Sequence, residues 1–198
     1  MPRTGLSQEE LKERALDAAE AEIRKGGALR VRLTDVAREV GVSHAALYKL
    51  FDDREALLDA VSARWLERID LELEEIAGSA RPPLQRLRAW FLALHRYKRE
   101  KVLADPQLYA AFDLAAQRTR PFVQSHLENS KRQLERMVAA ARAEGLLRCK
   151  STPAGARLLY LGTAAFHHPR MVLQGLHEDR EPDLRAVLDA LLEGLRGQ

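Results

Sequence analysis

Cysteine is almost absent from this sequence, with Cys149 as the single example. One thiol cannot build a disulfide framework, so the composition fits a reducing compartment. The first residues, MPRTGLSQEE, contain no apolar segment of the kind that a secretory signal needs. The longest uncharged run near the other end, residues 158–169, is too short for the roughly 20 residues of a membrane span. We therefore expect a cytoplasmic protein without a membrane partner.

The sequence also lacks the patterns that mark sheets and most enzymes. No segment alternates apolar and polar residues with period two over the length of a strand. There is no glycine-rich phosphate loop, no serine nucleophile elbow and no paired acid signature on a helix. Arg148 and Lys150 flank Cys149 and could activate its thiol, but a lone cysteine of this kind is more often incidental. We expect no enzyme.

Helical periodicity runs through nearly the whole chain. A capping box at Ser7–Glu10 opens a first helix, which the glycine pair 26–27 ends. Two short helices joined by a tight turn at Gly41 follow, and this is a helix-turn-helix arrangement. Longer amphipathic helices come after them, and the pair His168-Pro169 is expected to break or kink the eighth. The predicted fold is all-α with about nine helices: a three-helix helix-turn-helix domain at 1–53 and a larger helical domain at 54–198.

Positive charge is concentrated around the predicted turn. The net charge of +3 is too small by itself to argue for nucleic acid as a partner. Residues 24–54, however, carry seven Lys or Arg against four acids. A solvated surface explains this charge bias by itself, and the third helix is the feature that favours DNA as a partner.

The segment VSHAALYKLF, residues 42–51, has two different faces. Leu47 and Phe51 lie four residues apart and form an apolar stripe that can dock the helix on its neighbours. Ala45 and Ala46 add little bulk on the other side, so the backbone can approach base edges. Hydrogen-bonding side chains surround them, as a helix in the major groove requires. A surface helix of a bundle would leave both the tight turn and this division unexplained.

Residues 33–57, LTDVAREVGVSHAALYKLFDDREAL, resemble the DNA-binding signature of the tetracycline-repressor (TetR) family. The resemblance covers about residues 8–60 and lies in Ala37, the Gly41-Val42-Ser43 turn, Leu47-Tyr48, Phe51 and Leu57. It implies an N-terminal DNA-binding unit, a larger ligand-binding and dimerisation domain, and a homodimer whose last two helices form a four-helix interface. The function it implies is that of a ligand-responsive transcriptional regulator. We expect a repressor that binds a palindromic double-stranded DNA operator and is released by an effector.

The two-faced helix and the resemblance together give the predicted DNA contacts. Arg32 stands where the family usually has a Ser or Thr helix cap, and Arg54 replaces a Lys while preserving a phosphate contact. The predicted DNA-binding residues are Arg32, Thr34, Ser43, His44, Ala45, Ala46, Tyr48, Lys49 and Arg54. A non-regulatory helical DNA-binding protein is the alternative, but it would need a strongly basic chain without a large second domain.

Four polar residues of the second domain fall on otherwise apolar helix faces. They come from four consecutive helices of one bundle, so they could converge on a single point. Imidazoles with one carboxylate suit zinc, nickel or iron, and a buried carboxylate needs a cation or another partner. Pairing within the core is the other explanation, since no two of the four are close in sequence. The predicted metal ligands are His95, Asp113, His126 and His167, with His168 as a substitute for His167.

An apolar or amphipathic small molecule is the other effector class that the sequence allows. Aromatic residues recur on the fifth to seventh helices and could line an internal cavity, although such stripes are more often plain core. The predicted pocket residues are Trp90, Phe91, Tyr109, Phe112 and Phe122. The sequence does not choose between a metal and an organic effector.

The last two predicted helices carry the expected dimer contacts. Leucines recur with heptad-like spacing on the final helix, among charged residues, and small residues on the preceding helix allow close backbone approach. The predicted interface comprises Gly162, Ala165, Leu184, Leu188, Leu191 and Leu195.

Overall fold

Helices account for all the regular structure in the part of the chain that a computed structural model describes, residues 5–117 and 120–196, with the backbone alone at 114–117. The all-α prediction is thereby confirmed. Two three-residue 3₁₀ turns, Ala28–Arg30 and Ala164–Phe166, join longer elements. No helix in these ranges is both long and apolar enough to span a bilayer. The helices are α1 (Gln8–Gly26), α2 (Leu33–Val40), α3 (His44–Tyr48), α4 (Arg54–Gly78), α5 (Pro83–Ala104), α6 (Pro106–Gln117), α7 (Pro121–Ala143), α8 (Thr152–Gly162), α9 (Pro169–Gln174) and α10 (Glu181–Arg196).

The predicted eighth helix is two helices in the structure. It ends at Gly162, a 3₁₀ turn follows, and α9 begins at Pro169 as its first residue. Proline has no N–H to donate and disfavours helical backbone at the residue before it, so a helix can begin at Pro169 but cannot continue through it. The described part of the chain therefore contains ten helices rather than about nine.

The chain divides into two compact units, and the domain boundary at residue 54 stays a prediction. The first unit comprises the chain up to Leu66 together with Asp105–Val123, and the second comprises Glu67–Ala104 and the chain from Gln124 onward. Helix α6 belongs to the first unit because it packs on α1 and α4. Asp105 accepts a hydrogen bond from Nε of Arg24 at 2.6 Å, and the Trp65 ring centroid lies 4.5 Å from that of Phe112.

Arg64 of α4 bonds three carboxylates of α1 in the first unit. It is only 9% exposed, and its guanidinium donates to three carboxylates of α1. One nitrogen bonds Glu13 at 3.0 Å and Asp17 at 2.8 Å, and the other bonds Glu20. A buried guanidinium is costly unless such acceptors are in place. Arg64 therefore fixes α1 against the first half of α4.

In the second unit, α10 packs against α5 and α8. Leu184, Leu188, Leu192 and Leu195 form its buried stripe. A Cβ added at Gly162 would lie 2.7 Å from Cδ1 of Leu191, so α8 and α10 approach closely at that point. Hydrogen bonds from the Arg96 guanidinium to both carboxylate oxygens of Glu181, at 2.6 and 2.7 Å, hold the start of α10 on α5.

Replacing Arg64 with Ala is expected to lower the free energy of unfolding by about 2 kcal/mol, because three carboxylates lose a charged donor in a partly buried site. Chemical denaturation followed by circular dichroism measures the change. Arg38→Ala is the matched control: Arg38 is exposed and pairs only with Asp35, three residues earlier on α2, so its loss should cost less than about 0.5 kcal/mol. Equal effects of the two substitutions would contradict the role given to Arg64.

Candidate DNA-binding face and effector site

The turn between α2 and α3 has the geometry of a helix-turn-helix. Gly41 follows the last turn of α2 with φ 76° and ψ 30°, a left-handed conformation that glycine adopts without strain. The N–H of Val42 then returns to the carbonyl of Ala37 at 3.0 Å. Ser43 caps α3, its Oγ accepting from the backbone N–H of Ala46 at 3.2 Å. These local bonds set the angle at which α3 leaves α2.

Helix α3 presents the two faces that the sequence predicts. Leu47 is fully buried and Phe51, just beyond the helix, is 4% exposed, and both lie in the core of the first unit. Tyr48 is 45% exposed although it is a large aromatic residue. Its ring meets that of His44 edge-on, with centroids 4.5 Å apart. This pair places two hydrogen-bonding groups on the outer face of a docked helix.

The remaining predicted DNA contacts divide into exposed groups and groups with a structural role. Arg32, Thr34, Ala45 and Lys49 are exposed, and Ala46 is half-buried. Ser43 is exposed but its oxygen is engaged as the helix cap. Arg54 is half-buried, and its Nη1 donates to the carbonyl of Leu29 at 3.0 Å. Arg54 therefore braces the 3₁₀ turn at Ala28–Arg30, a contact that the sequence did not predict.

A cluster of polar side chains lies in the second unit, and below we call it the buried polar cluster. Lys98, His126 and His167 are its buried members, and Asp70 and Tyr160 are half-buried. Asp70 Oδ1 pairs with Nδ1 of His126 at 2.5 Å. Lys98 is 4% exposed, and its Nζ donates to the backbone carbonyl of His167 at 2.9 Å. The rings of Tyr160 and His167 lie 4.4 Å apart between centroids. Helices α4, α5, α7 and α8 and the turn before α9 each contribute a member.

Burial controls the ionisation of this cluster. It lowers the pKa of Lys98 to about 8, a shift that the negative charge of Asp70 opposes. It lowers the pKa of His167 to about 3, with the nearby charge of Lys98 acting in the same direction. The pKa of His126 is also lowered by burial, although its bond to Asp70 opposes the change. Both histidines are therefore neutral at pH 7, and the cluster holds one cation and one carboxylate.

The predicted metal ligands do not meet as a group in the described residues. No set of three or more His, Cys, Asp or Glu side chains is arranged there to hold a metal ion. His95 Nδ1 contacts the carbonyl of Phe166 at 2.8 Å, and His167 Nε2 contacts that of Tyr160 at 3.0 Å. Asp113 belongs to the other unit, and His168 is exposed. His95 and His167 thus have bonding partners of the kind found in a satisfied core, and a bound metal stays a prediction.

The predicted pocket aromatics also divide between the units. Trp90 and Phe91 are buried in the second unit, and Trp90 Nε1 donates to Gln133 Oε1 at 2.8 Å. Tyr109 and Phe112 are buried in the first unit beside Trp65. Phe122, also in the first unit, is half-buried. Their role in binding a ligand stays a prediction.

Sequence reasoning did not find Asp70 or Lys98. Lys98 sits on the buried stripe of α5, four residues after Leu94 and four before Val102, where an apolar residue is the rule. A lysine at an apolar position of the stripe was therefore the one sequence feature that could have indicated a buried charge. Asp70 adjoins the buried Ile69 on α4 in a run rich in acids, so nothing distinguished it from its solvated neighbours.

The predicted dimer interface stays a prediction, and its residues differ in exposure. Leu184, Leu188 and Leu195 are at most 3% exposed in the single chain, because α10 turns this stripe toward α5 and α8. Gly162 is exposed, and Ala165 and Leu191 are half-buried. On the outer face of α8 two leucines that the sequence analysis passed over, Leu158 and Leu161, are 46% and 58% exposed.

A helix that docks through Leu47 and exposes a hydrogen-bonding face after a tight glycine turn is characteristic of a helix-turn-helix DNA-binding protein. The amino-acid sequence matches the family description "Bacterial regulatory proteins, tetR family" over residues 15–61. It matches "Tetracyclin repressor-like, C-terminal domain" over residues 83–188, more than half of the chain. The protein belongs to the TetR family of transcriptional regulators, as its signature residues predicted.

Solved structures with the same fold support this assignment. The chain is 25% identical to SmeT, the repressor of the Stenotrophomonas maltophilia multidrug efflux pump SmeDEF, over 92% of this chain and 89% of SmeT, with a TM-score of 0.67. For the SmeT–triclosan complex the identity is 25%, the coverage 93% and 90%, and the TM-score 0.67. A protein of unknown function from Rhodococcus sp. RHA1 is 27% identical over 94% and 95% of the two chains, with a TM-score of 0.68. No curated protein sequence matches the chain.

Lys98→Met is expected to change how stability depends on pH. The pKa of Lys98 falls from its ordinary value of 10.5 to about 8 in the folded state. Between these values the unfolded chain binds more protons than the folded one, so the free energy of unfolding rises with pH in that window, by up to about 3 kcal/mol. Chemical denaturation of the wild type and of Lys98→Met at several pH values from about 7.5 to 10.5 gives the free energy of unfolding of each. The rise with pH should be present in the wild type and absent from Lys98→Met.

The control for this experiment is Lys101→Met on the same helix, since Lys101 is only half-buried. In Lys101→Met the free energy of unfolding should rise with pH as it does in the wild type. A rise that persists unchanged in Lys98→Met would show that another group causes it.

Proposed function

We propose that this regulator is a repressor that binds a near-palindromic operator as a homodimer and leaves it when an effector binds in the second unit. The observation that carries the proposal is the two-faced α3, in which Leu47 is buried while Tyr48, and Lys49 directly after the helix, are exposed. A helix docked in this way can enter the major groove without losing its scaffold. SmeT, 25% identical, is a repressor with a known triclosan complex, which supports a small-molecule effector here.

The dimer in this proposal uses the outer face of α8 rather than the leucine stripe of α10. Leu158 and Leu161 are exposed large apolar residues three positions apart, so they share one helix face. Leu191 of α10 packs over Gly162 beside them and is half-buried. An apolar face of this kind fits an isologous contact with a second copy. Two recognition helices would then read half-sites separated by about one helical turn of DNA or a multiple of it.

Effector binding near the buried polar cluster would reach the DNA-binding unit through α4. That helix is continuous from Arg54 to Gly78, with Asp70 in the second unit and Arg64 in the first. An effector that binds one position of α4 better than another shifts the population of repressor toward the form that releases DNA.

Replacing Tyr48 and Lys49 together with Ala should weaken operator binding by about 100-fold while leaving the fold intact, because both side chains are exposed. Gel shifts with DNA from upstream of the protein's own gene, at fixed salt, measure the loss. Arg14→Ala controls for net charge, since Arg14 is an exposed residue on α1 of the same unit. Wild-type protein that shows no preference for this DNA over random fragments would refute the repressor proposal.

Leu161→Asp should convert the dimer to a monomer in sedimentation velocity, because a carboxylate would be buried without a partner at the interface. Leu103→Asp is the matched control: Leu103 is 55% exposed on α5, outside the proposed face, so that variant should remain dimeric. A Leu161→Asp protein that sediments as wild type would place the interface elsewhere.

A further inference from the structure

Two buried polar atoms on α7 have no hydrogen-bond partner among the described residues. They are Nε2 of His126 and Oγ of Ser130, in side chains that are 3% and 1% exposed. Buried polar side-chain atoms are nearly always bonded, so each exception calls for an explanation. The two residues are four apart, so they lie one above the other on the same face of the helix. Both belong to the second unit.

Asp70 determines which role the free nitrogen of His126 can play. A carboxylate only accepts hydrogen bonds, so Nδ1 of His126, 2.5 Å from Asp70 Oδ1, must be the nitrogen that carries the proton. The other Asp70 oxygen accepts from Nδ2 of Asn129 at 2.7 Å, which holds the carboxylate in place. In the neutral imidazole Nε2 then has a lone pair and no hydrogen. The atom without a partner is an acceptor that needs a donor.

The hydroxyl of Ser130 is the second group that a ligand could bond. It can donate one hydrogen and can also accept. A ligand hydroxyl can donate to Nε2 of His126 and accept from Ser130 at the same time. A carboxylate could not donate to Nε2, and an ether could satisfy only Ser130.

Charge in the surroundings also favours a neutral group. Lys98 is the cation of the buried polar cluster and Asp70 is its carboxylate. A further anion would be buried without a cation of its own, at a cost of several kcal/mol. The neutral hydroxyl of a ligand avoids that cost.

Aromatic rings surround the polar cluster on the neighbouring helices. The His167 ring lies 4.4 Å from that of Tyr160 and 6.5 Å from that of Phe91, between centroids. Phe91 in turn meets Trp90 edge-on at 5.0 Å. A planar ligand gains most from such rings, through edge-to-face contacts and apolar burial. A groove of about 610 Å³ between α4 and α7 reaches Asp70, the residue that orients His126, although neither His126 nor Ser130 lines it. The other lining residues are Glu67, Leu71, Glu74, Asn129, Arg132, Gln133 and Arg136.

We infer that the effector is a neutral phenol, an aromatic molecule whose O–H donates to Nε2 of His126 and whose oxygen accepts from Ser130. The inference rests on the proposed function, since it names the chemical class of the effector at the second unit. It assigns His126 and Ser130 as the residues that select for a hydroxyl.

The test compares three probes of one shape on the full-length protein: 4-propylphenol, its methyl ether, and 4-propylbenzoate. Isothermal titration calorimetry at pH 7 gives the three dissociation constants. We expect the phenol to bind at least about tenfold more tightly than the ether or the benzoate, since only the phenol satisfies both atoms. No binding of the phenol, equal binding of phenol and ether, or a preference for the benzoate would each overturn the inference.

Variants of His126 and Ser130 test whether these two residues cause the preference for the phenol over its methyl ether. In His126→Leu the phenol and ether affinities should come within about threefold of each other, because the acceptor is gone. Ser130→Ala is the milder second variant should His126→Leu fail to fold, and it should weaken phenol binding while leaving ether binding unchanged. Thr163→Val is the matched control, since Thr163 is a fully buried hydroxyl of the same unit that bonds the carbonyl of Leu159 at 2.8 Å. Full phenol preference in both Ser130→Ala and His126→Leu would refute the assignment.

A gel shift with each probe separates this inference from the proposed function. Phenol that binds with the predicted preference and releases operator DNA supports both. Phenol that binds with that preference but leaves the DNA complex intact supports the site and contradicts effector release by it. Release by the benzoate or the ether alone supports a ligand-responsive repressor and overturns the phenol assignment.

Discussion

The bond between Asp70 and His126 is the constraint on which the interior of the second unit depends. Asp70 lies on α4, and α7 meets it with three side chains: His126 and Asn129 donate to its carboxylate, and Gln133 donates to its backbone carbonyl at 3.2 Å. The carboxylate also offsets the buried charge of Lys98. Without Asp70, a cation and an imidazole would be buried with one fewer partner each, which a marginally stable domain tolerates poorly.

The same helix carries the principal polar anchor of each unit. Arg64 binds three acids of α1, and Asp70, six residues later, binds α7. An α-helix transmits a displacement along its axis because its backbone bonds are continuous, and α4 shows no break between these residues. Arg64 and Asp70, the latter bonded to His126 of α7, thus lie on one uninterrupted helix.

What could be predicted from the sequence was local. The capping box at Ser7, the left-handed Gly41 and the split faces of α3 depend on residues within a few positions of one another, so their pattern was sufficient. The inward position of His126 also followed from helical spacing. Its partner did not, because Asp70 lies 56 residues away on a helix with many solvated acids. Asp105 and Arg24, 81 residues apart, are a second example, and through them α6 joins the first unit.

Helix α10 shows why an apolar stripe does not identify the surface that covers it. The spacing of Leu184, Leu188 and Leu195 correctly predicts one buried face, and the structure covers that face with α5 and α8 of the same chain. The hydrophobic effect depends on the area removed from water and not on which chain removes it. The residue that distinguishes the two cases is Gly162, whose missing side chain admits Leu191 and brings α10 onto α8. Because α8 and α5 cover this stripe, it is buried within the chain, whereas Leu158 and Leu161 on α8 remain exposed.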